Sequence, residues 1–185
     1  MGHHVNTAAG LPFDDQPREG PGETAYGKFS TGIFPSHVLR RLIRGRREIL
    51  ATEEIGEEQI QPASIDLRLG NSAFRLRASF LPGRDHRVAD KLSDMAIHEI
   101  DLKGGAVLET GCVYLVPLIE RLELSHRVSG VANPKSSTGR LDVFTRLITD
   151  HAQAFDRVEE GYYGPLYAEI SPRTFPVLVL SLIHI

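Results

Sequence analysis

The chain has 185 residues, 41% of them hydrophobic and 24% charged, which is ordinary for one globular domain with tails. A net charge of −3 gives no global attraction for nucleic acid or membrane, so any anion site must be a local arrangement. The single cysteine, Cys112, excludes an internal disulfide framework and a multi-cysteine zinc site. No apolar run approaches the ~20 residues of a membrane helix, and no charged-then-apolar secretion signal opens the chain, so a soluble, cytoplasmic protein is expected.

Residues 1–30 are rich in Gly, Pro, Asp and Glu without periodicity and read as a mobile tail. The adjacent His3 and His4 are given no metal role there. The folded domain is expected over residues 31–180. After Gly32-Ile33-Phe34-Pro35, Ser36 reads as the N-cap of a helix through Leu50. Val38, Leu39, Leu42 and Ile43 form its apolar stripe, and Arg40, Arg41, Arg44, Arg46 and Arg47 cover the other face. No aromatics interleave those arginines for base stacking, so the face reads as solvated or subunit-facing.

From Gln61 the texture changes to short strands and turns. Ser64 to Leu69 alternates polar and apolar with period two, as does Phe74 to Phe80. Leu81 to Ser93 is charged and reads as an exposed loop or arm. Strands are expected at Ile97–Leu102, Val107–Leu108 and Cys112–Leu118, with Cys112 a buried small hydrophobe. Glu120 to His126 leads across an edge, and Val128–Ala132 delivers the chain to a polar stretch. Asp142–Asp150 reads as either a strand or a short helix. Ala154–Val158 precedes a turn at Glu159-Glu160-Gly161, and Leu166–Ile170 and Pro176–Leu180 are strands. Many short strands with one early helix read as a mainly β fold, a barrel or jelly-roll sandwich.

The polar stretch is Asn133-Pro134-Lys135-Ser136-Ser137-Thr138-Gly139-Arg140. Its cations, hydroxyls and glycine suit a phosphorylated ligand, since Arg and Lys supply charge, Ser and Thr short donors, and Gly a close backbone approach. A common polar surface turn has the same composition, and the octet alone does not decide between the two. Downstream lies Tyr162-Tyr163-Gly164-Pro165-Leu166-Tyr167-Ala168-Glu169. A carboxylate among apolar neighbours is costly if it points inward, and strand alternation leaves open whether Glu169 points in or out.

Three blocks in this order (Gln61 to Gly70, the octet, and Gly161 to Glu169) resemble the dCTP deaminase branch of the dUTPase-like superfamily, from Gly32 to Val179. The resemblance implies a dUTPase-like distorted β-barrel and zinc-independent hydrolysis of dCTP to dUTP and ammonia. The zinc cytidine deaminases need H-x-E and P-C-x-x-C signatures that this chain lacks. Carried over by position, Glu169 falls on the catalytic glutamate. Ser136 matches the serine orienting the attacking water, and Arg140 the arginine that helps hold the glutamate. Lys135 stands where the family often has Arg and should meet phosphate together with Ser137, while Thr138 and Gly139 complete the loop. Glu159 replaces an aspartate that holds the 3′-hydroxyl. Backbone groups of Tyr167 and Ala168 should meet the base edge, and Phe155 aligns where a small residue packs near the base. Asp66 is expected to support the fold or a subunit interface. No protein metal site is implied, and Mg²⁺ would arrive with the triphosphate. A homotrimer with shared active sites is also implied.

The chain closes on Leu180-Ser181-Leu182-Ile183-His184-Ile185 without a turn, in words that resemble a translated sequencing adaptor. The family's C-terminal segment, which closes over the triphosphate, is not found. A truncated member is therefore expected, with residues 180–185 spurious and no role for His184. The rival readings are a dUTPase, a bifunctional enzyme giving dUMP, and a non-catalytic nucleotide-binding or trimerisation module.

Overall fold

The computed structural model describes residues 32–183, so the expected N-terminal tail with His3 and His4, and also His184, lie outside the described residues. The first helix, α1 (Ser36–Arg40), runs on as a π-helical turn over Arg41–Arg46. It stops short of Leu50 because Arg47 turns left-handed at φ 56. The buried Glu48 then sends its amide to the Leu42 carbonyl at 2.9 Å. Ile49–Ala51 leaves as strand β1, pairing with Glu120, Arg121 and Leu122. Sheet pairing there outweighs local helix preference. Ser36 is also not the N-cap; Pro35 is, and the Ser36 amide bonds the Pro62 carbonyl at 2.8 Å. On the basic face, Arg40 and Arg44 both pair with Glu57.

Ser64 to Leu69 is not a regular strand; it makes only the isolated bridges Ile60↔Ile65 and Leu69↔Leu118. Its place is fixed instead by a buried ion pair. Arg68 meets Glu120 through Nε at 2.8 Å and through its own amide at 2.8 Å, and donates to the carbonyls of Glu53 and Glu54 at 3.0 Å each. Gln59 Nε2 supplies a further donor to Glu120 at 3.0 Å. Every contact of that charge is charge-assisted, which is the condition for tolerating it in a core.

Strand β2 (Ser72–Leu76) ends before Phe80, where the Arg77 amide turns to the Met95 carbonyl at 2.9 Å. The stretch expected as a loop contains helix α2 (Val88–Met95). Two carboxylates cap it, Asp90 on the Arg87 amide and Asp150 on the Val88 amide, both at 2.8 Å, and Val88 is fully buried. Strand β3 (Ala96–Asp101) follows directly, then β4 (Ala106–Leu108). The strand expected at Cys112–Leu118 continues into the segment expected to lead across an edge, giving β5 (Val113–Glu123) with a pairing irregularity between Pro117 and Arg121. Cys112 just precedes it, half-buried rather than buried, accepting from Arg75 Nη2 at 3.1 Å.

Strand β6 (Gly130–Val131) pairs with β8 (Arg157–Val158). The octet then forms helix α3 (Ser136–Arg140), not a loop. The open choice at Asp142–Asp150 resolves as strand β7 (Val143–Thr149). Strand β9 (Tyr163–Pro172) lies between β5 and β7, and β10 (Val177–Val179) pairs with β4. The main sheet runs β3-β2-β5-β9-β7, with β1 also on β5, and its pairings are antiparallel. The expected mainly β architecture with an early helix is what the chain adopts. Beyond β10, Leu182 and Ile183 exchange backbone hydrogen bonds with Leu69 at 2.8 and 3.0 Å.

The sheet separates two apolar clusters. Tyr114, Val116, Leu147, Ala168 and Ile170 face the main core. Leu76, Leu115, Ile148 and Tyr167 face a smaller one, which Val88 and Leu92 of α2 cover. Glu169 lies on this second face.

Candidate active site

The site begins at the turn into β9. Gly164 lets the chain pass close to Tyr162, for a Cβ there would lie 2.6 Å from the tyrosine Oη. That hydroxyl donates to the Pro165 carbonyl at 2.6 Å and accepts the Asp150 amide at 3.0 Å. Burial pushes the Tyr162 phenol far above its ordinary range, so it stays protonated and keeps this corner closed. From the corner, alternation along β9 sends Ala168 and Ile170 into the main core and Tyr167 and Glu169 to the opposite face. Glu169 therefore points inward and is 1% exposed.

Its neutralising partner is Arg146, directly across the ladder on β7. Arg146 Nε lies 3.0 Å and Nη2 2.5 Å from the same oxygen, Glu169 Oε1. Nη2 also donates to Ser79 Oγ at 2.8 Å. The guanidinium carbon is 3.6 Å from the Phe155 ring centroid and 4.9 Å from that of Phe144. Cation–π contact and charge-assisted hydrogen bonds thus hold one rotamer. Glu169 Oε2 is buried and has no hydrogen-bond partner among the described residues.

The octet stands apart from this pair. Ser136, Ser137, Gly139 and Arg140 are exposed and Thr138 is half-buried. Among the described residues no hydrogen bond or ion pair joins the side chains of Ser136, Ser137, Thr138 or Arg140 to Glu169, which is held by Arg146 instead. Lys135 Nζ sits 2.7 Å from Asp66 Oδ2, so the Gln61–Gly70 block anchors the octet's first cation. Gly139 and Arg146 nevertheless border one cleft of about 470 Å³, with Pro134, Asp142, Phe144 and Arg173 on its walls. Glu159 is exposed in the turn after β8. Tyr167 and Ala168 are buried between two strands, opposite Pro117 and Val116 on β5 and Ile148 and Leu147 on β7. Phe155 packs on Arg146.

Arg146 and Ser79 were not singled out in the sequence. A hint is present, because Phe144, Arg146 and Ile148 share one face of the alternating stretch. The cross-strand register that sets Arg146 opposite Glu169 has no local signature. No group of three or more His, Cys, Asp or Glu that could hold a metal occurs among the described residues.

Residues 30–183 match the family model described as the 2'-deoxycytidine 5'-triphosphate deaminase (DCD) N-terminal domain. The chain belongs to this family. A solved 2'-deoxycytidine 5'-triphosphate deaminase from Agrobacterium tumefaciens is 55% identical with a TM-score of 0.80, over 83% of this chain and 45% of that one. The chain therefore spans less than half the length of that solved relative. A dCTP deaminase, dUMP-forming, from Coprothermobacter proteolyticus is 30% identical over 139 residues, 75% of this chain and 70% of its own length. A dCTP deaminase from Halorubrum lacusprofundi is 30% identical over 140 residues, covering 75% and 66% respectively.

Proposed function

We propose that this chain contributes the centre of a dCTP deaminase that makes dUTP and ammonia, with Glu169 as the proton-transfer group. The observation that carries the reading is the buried Glu169 with one oxygen held and the other unengaged among the described residues. As water oxygen bonds to C4 of cytosine, Oε2 takes a water proton and hands it to ring N3. Oε2 then takes the remaining hydroxyl proton as the C4 carbonyl forms and gives it to the departing amine. The carboxylate ends as it began, which is what general acid–base catalysis by one group requires.

Ser136 and Arg140 orient the water and the pocket in this proposal, while Lys135, Ser137, Thr138 and Gly139 receive the triphosphate, with Mg²⁺ arriving on the nucleotide. Their outward exposure fits sites shared between copies of a homotrimer. Glu159 would meet the sugar, and backbone groups of Tyr167 and Ala168 the base. A cytoplasmic setting suits such a reaction, and among the described residues no helix is long and apolar enough to cross a membrane.

A second reading, direct formation of dUMP, is favoured by one specific observation: the Coprothermobacter proteolyticus relative is a dUMP-forming enzyme by name. Incubating protein from the complete gene with dCTP and Mg²⁺, without added zinc, separates the readings. Products dUTP and ammonia support deamination alone, and dUMP makes the enzyme bifunctional. Untouched dCTP with hydrolysed dUTP gives a dUTPase. Inertness of folded protein toward both leaves a binding module.

A further inference from the structure

Glu169 and Arg146 do not meet in the usual fork. An arginine commonly sets two nitrogens against two carboxylate oxygens. Here Nε and Nη2 converge on Oε1 alone, at 3.0 and 2.5 Å. Oε2 is buried with no hydrogen-bond partner among the described residues. The two oxygens of one carboxylate are thereby made inequivalent. Arg146 in turn is fixed from three sides, by Ser79 Oγ at 2.8 Å, by the Phe155 ring at 3.6 Å, and by its position on β7 opposite Glu169.

We infer that Arg146 is a positioning residue for the proposed deamination, holding Glu169 through Oε1 so that Oε2 alone exchanges protons with the attacking water and the departing amine. The inference rests on the deaminase reading of the site. Its physical content is separate, however, since it assigns the orientation of Glu169 to one guanidinium. Protonating Oε1 would break both hydrogen bonds from Arg146, whereas protonating Oε2 neutralises the carboxylate but leaves both in place. Phe155 and Ser79 act through Arg146, by limiting the rotamers from which it can swing away.

The test uses Arg146→Gln and Arg146→Lys in protein from the complete gene, with two readouts. Steady-state kinetics with dCTP should show kcat lowered about 100-fold in Arg146→Gln with KM within a factor of about 3, as expected for a misplaced catalytic group. The acid limb of its pH–rate profile should move to higher pH, and Arg146→Lys should recover part of the loss. A raised KM with unchanged kcat would make Arg146 a substrate-binding residue and overturn the proposal. The second readout needs no turnover: the orientation of the Glu169 carboxylate in crystal structures of the wild type and Arg146→Gln. It should be single in the wild type, with Oε1 toward Arg146, and displaced or multiple in Arg146→Gln. Identical behaviour in both proteins overturns the proposal even if catalysis suffers. A wild type inert toward dCTP would defeat the deaminase reading, and the carboxylate orientation would still decide whether Arg146 controls Glu169.

Discussion

Lys135 stands just ahead of α3 with its ammonium 2.7 Å from Asp66, and both side chains reach solvent to some degree. A partly exposed pair of this kind is worth about 0–1 kcal/mol, so exchanging Asp66 for a triphosphate oxygen costs little. Lys135→Ala is accordingly expected to weaken dCTP binding by about tenfold or more while leaving deoxycytidine binding nearly unchanged, because a charged hydrogen bond is worth about 1.5–3 kcal/mol. Calorimetric titration with both ligands checks this, and equal losses would remove the phosphate role. Gly164 is a residue whose absent side chain matters. A Cβ there would collide with Tyr162 Oη at 2.6 Å. Gly164→Ala should therefore destabilise the fold by about 1–3 kcal/mol in urea melts, through displacement of the corner that starts β9.

The elements show where sequence reasoning reached and where it stopped. Strands β3, β4 and β10 fall within the runs Ile97–Leu102, Val107–Leu108 and Pro176–Leu180 or one residue beyond them, as short apolar runs between turns suggest. Helix α1 was legible to within one residue at its start and not at its end, since its stop depends on Ile49–Ala51 finding β5 across the fold. Helix α2 was missed because its capping depends partly on Asp150, far along the chain, whose carboxylate accepts the Val88 amide. Burial pushes the Asp150 carboxyl above its ordinary value of 3.8, outweighing the Val88 hydrogen bond that lowers it. A group raised on folding contributes stability that is fully present below the unfolded value and is lost as pH rises through the folded one. Asp150→Asn keeps an acceptor for Val88 without the charge. Its stability relative to the wild type should thus grow as pH rises above about 4, and unfolding curves across pH would read the trend. A difference that is flat or falls with pH would contradict it. The Arg68–Glu120 pair was equally hidden, as Ser64–Leu69 alternates like a strand yet is anchored by charge. Glu120→Ala strands a buried guanidinium and should cost about 3–5 kcal/mol in the same assay.

Across the whole molecule, the motifs that carry the family resemblance could be placed from residues alone, because glycines, hydroxyls and carboxylates at set spacings keep their local meaning. What the sequence could not supply was the register of β7 against β9, and with it Arg146. The main sheet places Glu169 on the face that α2 covers, and it runs β7 past the cleft that Gly139 and Arg146 share. In the proposed reaction Glu169 moves the protons. The most direct measurement is ammonia release from dCTP by wild type and Glu169→Gln, with nucleotide affinity measured alongside. Steady release is expected from the wild type and none detectable from Glu169→Gln, whose dCTP affinity stays within about threefold because the lost group acts in the transition state. A Glu169→Gln protein that releases ammonia at the wild-type rate would contradict that role.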